Sequence, residues 1–207
     1  MAEYLRDPAE IYRQSFAAIA AETDFRAVPE SLRGLATRLI HAVGMVDLVG
    51  DLAWGGDAVT AGRAALAAGK PVYADCHMVA SAIMASRLPA ENRILCTLGE
   101  PAVDEVARMF GTTRSAAAVE LWRDALEGAV VAIGNAPTAL FHLLDMIENG
   151  GPRPAVIFGF PVGFVGAAES KEELIRRAGD IPFVTVRGRR GGSPLASAAV
   201  NALMVGP

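Results

Sequence analysis

The chain is poor in the residues that build metal centres and disulfide frameworks. It has two cysteines, Cys76 and Cys96, and three histidines, His41, His77 and His142. They are scattered, and no C-x-x-C or H-x-x-x-H spacing occurs. Neither a zinc site nor a disulfide scaffold is therefore expected. The two thiols are expected to be reduced core or pocket-wall residues of a cytosolic protein. Positive charge is not in excess either: 19 Lys and Arg stand against 23 Asp and Glu, a net charge of −4. A general nucleic-acid binder would carry a basic patch or stripe, so no nucleic-acid partner is expected. Small anions are still open, because a few placed arginines and helix ends can bind them. No apolar run reaches the roughly 18–20 residues that cross a bilayer, since Asp, Arg, Gly or Pro interrupts each. The opening residues, MAEYLRDPAEIYRQSF, are charged and amphipathic and lack the apolar stretch of a secretory signal. A soluble, cytoplasmic chain with no membrane partner is expected.

Several catalytic signatures are also missing. There is no G-x-S-x-G elbow for a serine hydrolase. Gly159 to Gly166 reads G-x-x-x-G-x-x-G, not the G-x-G-x-x-G that a dinucleotide site needs beside the first strand. That segment is expected to be a flexible active-site loop or a tight packing corner. Alternatively, Phe160 and Phe164 form an apolar platform for a flat ligand. Asp47, Asp51 and Asp57 are spaced like surface and capping acids rather than a calcium loop.

What remains is a regular alternation. The 207 residues suit one domain, residues 1–207. Pro71–Asp75, Arg93–Leu98, Ala129–Gly134, Ala155–Phe160 and Phe183–Gly188 are short and mostly apolar with little alternation. Strands covered on both faces look like this. A further short strand is placed at Leu52–Trp54. Helices are expected at Asp7–Ala21, Glu30–Val43, Asp57–Ala68, Met78–Arg87, Ala102–Met109, Ser115–Leu126, Thr138–Asn149, Lys171–Ala178 and Pro194–Met204. Prolines stand near several helix starts (Pro29, Pro101, Pro137, Pro194) and glycines near several ends (Gly69, Gly128, Gly150). Strands alternating with helices imply an α/β fold, a flavodoxin-like doubly wound parallel sheet with helices on both faces. Ligands of such sheets bind beyond the carboxyl ends of the strands.

Candidate site residues gather on a few segments. Arg38 and His41 are three apart in RLIHAVG and share a helix face. Gly44 is placed to end that helix, so His41 lies near its negative end. Histidine is the side chain best suited to exchange a proton near neutral pH; a lone histidine can equally be structural. Tyr12 and Ser15, also three apart, share a face, or are a core aromatic beside a small residue. Thr113 can cap a helix whose first turn holds Arg114, a cation at the positive end. Either an anion docks there or a neighbouring acid pairs with it. In Gly188–Pro194, glycines allow close backbone approach, Ser193 can cap a helix and Pro194 suits its first turn. With Arg187, Arg189 and Arg190 nearby, this is a carboxylate-binding turn or an ordinary one. His77 could face the crevice, and His142 is expected to be a buried or partly buried core residue.

Taken in order, IYRQSF, RLIHAVG, AGKPVYADCHMVA, TRSAAAVELW, VVAIGNAPTALFHLL, FGFPVGFVGAAESKEEL and VRGRRGGSPLASAA resemble the precorrin-8X methylmutase family across nearly the whole chain. GNAPTAL and PVGFVGAAESK are the most specific parts. The resemblance implies an isomerase of aerobic cobalamin biosynthesis that needs no metal or organic cofactor. It would move a methyl group from C11 to C12 of a tetrapyrrole macrocycle, precorrin-8X, giving hydrogenobyrinic acid. It implies His41 as the catalytic proton donor and acceptor. Tyr12, Ser15, Arg38, Arg114, Gly192 and Ser193 would be substrate-binding, and the assembly a homodimer. The chain departs from the expected pattern at His77, where a less basic residue is expected; facing the pocket, it would share proton transfer or alter specificity. A non-catalytic tetrapyrrole carrier is the competing reading.

Overall fold

The computed structural model describes residues 4–205. Six strands form one sheet: β1 (Leu52–Gly55), β2 (Val72–Ala74), β3 (Ile94–Leu95), β4 (Val130–Ile133), β5 (Val156–Gly159) and β6 (Phe183–Val186). Their spatial order is β1-β6-β5-β4-β2-β3. From β6 to β3 every pair is parallel, whereas β1 runs antiparallel to β6. Numbered by themselves, the five parallel strands follow the order 2-1-3-4-5 of flavodoxin-like sheets. The doubly wound parallel sheet expected from the sequence is present in these five strands, and β1 adds an antiparallel edge to it. A helix does not separate β6 from β1 in space; β1 comes before the first crossover, so the handed βαβ rule does not constrain it.

Among the described residues, nine α-helices flank the sheet: α1 (Pro8–Glu22), α2 (Glu30–Val43), α3 (Ala58–Ala67), α4 (His77–Ala82), α5 (Val103–Phe110), α6 (Arg114–Glu120), α7 (Pro137–Glu148), α8 (Ala167–Arg177) and α9 (Ser193–Leu203). The strands bury alternate residues in two cores. Val72, Ala74, Val130, Ala132, Phe158 and Val184 pack with α2, α3 and α9. Tyr73, Val131, Ile133, Ile157 and Phe183 pack with α7, α8 and Trp122. Both faces being covered explains why the strands read as unbroken apolar runs.

Helix ends follow local chemistry. Asp7 accepts from the Ala9 N–H, Asp57 from Thr60 and Thr113 from Ala116. Gly44 ends α2 at φ 67°, where a side chain would be strained. Ser193 does not cap α9: the flanking residue is Gly192, and the Ser193 hydroxyl instead meets the Cys76 thiol at 3.4 Å. The run Arg93–Leu98 contributes only a two-residue strand at the sheet edge.

In flavodoxin-like sheets the crevice opens where strand order reverses, here between β2 and β4. Asp75 follows β2 and is buried. Its carboxylate accepts from the backbone N–H groups of Gly134, Asn135 and Ala136, at 2.8, 2.9 and 2.8 Å. One side chain thus stitches together the two loops at the switch point. Burial pushes this carboxyl group up, and the three N–H donors pull against it. Gly134 packs so closely on Ser193, Ala196 and Val79 that a Cβ would lie 2.8–2.9 Å from each. The open space therefore lies to one side of the switch point, over α2, α4 and α9.

Candidate active site

The site assembles on the shoulder formed by α1 and α2. Tyr12 and Phe16 are four apart on α1, so their rings share a face and stack at 4.8 Å between centroids. Arg38 and His41 face them from α2. The His41 imidazole stacks on Phe16 at 5.1 Å, with 25° between planes. It also meets Tyr12 at 5.4 Å. The Arg38 guanidinium lies over the Phe16 ring at 5.4 Å and donates to the Tyr12 hydroxyl at 3.3 Å. Arg38 has no acidic partner among the described residues. His41 itself is exposed. An accessible imidazole is thus braced by two aromatic rings, beside a cation whose charge no carboxylate answers.

Two cavities flank this group. One, of about 580 Å³, is lined by Tyr12, Phe16, Gly34, Arg38, Val59 and Arg63. Gly34 lies one turn before Arg38 on the same face, and a Cβ there would meet nothing within 4 Å. The other, of about 610 Å³, lies along α4 and the start of α9, lined by Ala42, Met78, Ser193, Pro194, Ser197 and Asn201. His41 touches the lining of the first, and its neighbour Ala42 lines the second. Cavities of this size suit small-molecule ligands.

The other expected site residues are placed as follows. Ser15 turns its hydroxyl back to the Ile11 carbonyl at 2.8 Å. Gly192 adopts φ 120°, and Ser193 is buried in the wall of the second cavity. Arg114 lies on α6, whose buried residues belong to the cores away from α2. Its Nε is 3.1 Å from Asp104, and it donates to the Leu98 carbonyl at 3.3 Å. An acid of the chain itself answers that cation. The structure therefore gathers Tyr12, Arg38 and His41, sets Ser193 in the wall of the neighbouring cavity with Gly192 just before it in the chain, and leaves Arg114 apart. His77 is exposed at the start of α4, facing Gly99 and outside both cavity linings. His142 is half-buried and pairs with Glu120 at 2.8 Å. Burial raises the Glu120 carboxyl, but its bonds to His142 and Arg123 outweigh that and hold it low.

Two expectations about the glycine-rich loops are corrected. Phe160 is fully buried, so it cannot be half of a ligand platform; Phe164 is 83% exposed, with Arg189 stacked on it at 5.2 Å. Of the three loop arginines, Arg187 pairs with Glu172, and Arg190 with Asp47 and Asp51. Only Arg189 has no carboxylate beside it among the described residues.

Sequence reasoning missed Phe16, Asp75 and Lys171. Phe16 was visible as the i+4 partner of Tyr12. Lys171 falls in helical register with Ala167, Leu174 and Ala178, all buried, and is itself fully buried. Burial lowers its pKa from 10.5 to about 8, against the opposing pull of Asp51 and Glu172. The unfolded chain then binds more protons than the folded one between those values, so this group adds stability as pH rises through the window. Wild-type stability minus that of Lys171→Met is expected to rise by up to ~3 kcal/mol between pH 8 and 10.5. Urea unfolding at several pH values measures it; a flat difference would mean that the lysine titrates normally.

Among the described residues, no three His, Cys, Asp or Glu side chains gather as a metal-ligand set. No helix there is long and apolar enough to cross a membrane.

Comparison with known proteins places the chain among relatives. A family model described as precorrin-8X methylmutase matches residues 10–205. The precorrin-8X methylmutase of Pseudomonas aeruginosa is 59% identical over 203 residues, 98% of each chain. That of Sinorhizobium is 50% identical over 201 residues, covering 97% of this chain and 96% of the other. The crystal structure of the Thermus thermophilus precorrin-8X methylmutase superposes with a TM-score of 0.85 at 35% identity, covering 95% of this chain and 94% of that one.

Proposed function

The chain belongs to the precorrin-8X methylmutase family, isomerases of cobalamin biosynthesis, and on that premise we propose that it moves a methyl group from C11 to C12 of precorrin-8X, giving hydrogenobyrinic acid. The observation that carries this reading is the exposed His41 imidazole, braced on Phe16 and Tyr12 beside Arg38, which has no acidic partner among the described residues.

The methyl–C11 bond breaks and the methyl–C12 bond forms within one conjugated ring, so no external nucleophile or electron carrier enters the balance. His41 lends a proton to the macrocycle, makes the destination carbon electron-poor, and recovers a proton when the corrin product forms. Positioned acids of this kind contribute about 10²–10⁴-fold. Arg38 holds a peripheral carboxylate, Tyr12 and Ser15 line the approach, and the Gly192–Ser193 turn takes a second carboxylate at the start of α9. Arg114 enters this set by resemblance alone. It reaches a substrate carboxylate only by releasing Asp104. No metal or organic cofactor takes part, and the substrate is the metal-free macrocycle of the aerobic route. The relatives at 59% and 50% identity bear that substrate's name.

We read the working unit as a cytoplasmic homodimer. In support, α1 rests mainly on α2, buries only Ile19, and leaves Ile11 and Tyr12, with Leu5 just before it, exposed. Light scattering of the purified protein tests the dimer.

The direct test is incubation with precorrin-8X, watching for the spectrum of hydrogenobyrinic acid. Binding without conversion would establish the carrier reading instead. Arg38→Ala is expected to raise KM about tenfold with a smaller effect on kcat, as loss of one charge-assisted contact implies. An unchanged KM would reduce Arg38 to a brace for Tyr12.

A further inference from the structure

Lys171 is the one fully buried cation among the described residues. It occupies the buried stripe of α8, where an apolar residue would cost less. Its Nζ donates to the Arg190 carbonyl at 2.5 Å. Arg190 is held at its other end too, through a 2.7 Å pair with Asp47 and a contact with Asp51.

The surrounding backbone is tightly locked. The loops after β5 and β6 run side by side: the Gly192 N–H donates to the Phe160 carbonyl at 2.7 Å, and the Gly163 N–H to the Arg189 carbonyl at 3.3 Å. A Cβ on Gly191 would press on the Phe160 and Pro161 carbonyl oxygens. Two residues beyond Arg190 the chain turns through Gly192, at φ 120°, into Ser193 and Pro194. Those two residues form part of the wall of the cavity beside Ala42.

We propose that Lys171 is a positioning residue of the substrate site. By gripping the Arg190 carbonyl it sets the Gly191–Gly192 turn, and through it the aim of the Ser193 N–H into the cavity. The proposal rests on the reading of Gly192 and Ser193 as carboxylate partners. A strut needed only for stability would be better made of a leucine or methionine, which fill the same stripe without desolvating an ammonium. What an ammonium adds is a directed, charge-assisted bond to one backbone oxygen. The effect passes from the Arg190 carbonyl to the Ser193 N–H through the backbone of two residues, Gly191 and Gly192, the second of them bonded to Phe160.

The test is Lys171→Met in the full chain. Four quantities are read: steady-state KM and kcat with precorrin-8X, affinity for hydrogenobyrinic acid by absorbance titration, melting temperature at pH 7, and amide exchange of residues 190–195 with and without product. The expected result is a KM and product Kd raised about tenfold, kcat within about threefold of wild type, and a melting temperature no lower than wild type. Exchange at Gly191 and Ser193 should be faster in the free variant. Wild-type amide exchange at Ser193 should slow when product binds. If product leaves that amide unprotected in the wild type, the carboxylate reading of the turn fails and takes the proposal with it. If product protects it, but the variant keeps wild-type exchange and affinity, Lys171 alone is removed from the site. A variant that melts early, with faster exchange throughout α8 and β6, would also overturn the proposal and leave the lysine a structural strut. Should Lys171→Met not fold, Lys171→Gln, neutral and too short for the same bond, is read against the same outcomes.

Discussion

Replacing His41 with alanine is expected to lower kcat for precorrin-8X by about 10²–10⁴-fold, the usual contribution of one positioned acid–base group. Product affinity should change far less. The imidazole touches Phe16 and Tyr12 rather than forming a cavity wall of its own, so its removal leaves Arg38 and both cavities in place. Alanine also deletes a stacked ring, and such pairs contribute ~0.5–1.5 kcal/mol beyond burial. His41→Phe separates the two effects. It keeps a flat ring on Phe16 but can neither give nor take a proton. Equal losses in the alanine and phenylalanine variants would identify the proton as what matters. Recovery in the phenylalanine variant would mean that His41 serves by packing. Wild-type turnover in both would remove it from the mechanism.

The largest expected loss of stability follows from Asp75→Ala, at about 3–5 kcal/mol, because each polar group left unsatisfied costs about 1–3 kcal/mol. The alanine would leave the Gly134, Asn135 and Ala136 N–H groups without their acceptor. Gly134 and Ser193 pack too closely around them for easy relaxation. For a chain of this length the drop corresponds to roughly 10 °C in Tm. It should appear as a lower urea midpoint with an unchanged slope. Asp75→Asn should also destabilise, because its amide group would point a donor at donors. A loss under about 1 kcal/mol would mean that water satisfies those N–H groups once the carboxylate is gone.

Much of the architecture was legible because it depends on neighbours in sequence. The helix Glu30–Val43 was read with the bounds it has, since its apolar stripe recurs with period 3.6 and Gly44 stops it. The buried strands were found from their unbroken apolar runs. The segment Ala167–Arg177 was placed four residues late, at Lys171, because its opening Ala-Ala-Glu-Ser carries little periodic signal after a glycine-rich loop. Tyr12, Arg38 and His41, which meet across α1 and α2, were singled out from spacing and resemblance together. The partners of Arg114, Arg187 and Arg190 were not, because their acids lie on other elements, up to 143 residues away for Arg190 and Asp47.

The sequence by itself determined the order of strands and helices, the faces they bury and the family to which the chain belongs, since these follow from periodicity, punctuation and local motif. Only the tertiary structure decided that β1 runs against its neighbour, that Asp75 closes the switch point, and that Lys171 lies inside. It also decided which of these cations have a carboxylate beside them among the described residues: Arg114 and Arg190 do, while Arg38 does not. The physical reason is that hydrogen bonds and ion pairs act through space within a few ångströms, and folding alone brings their distant partners that close.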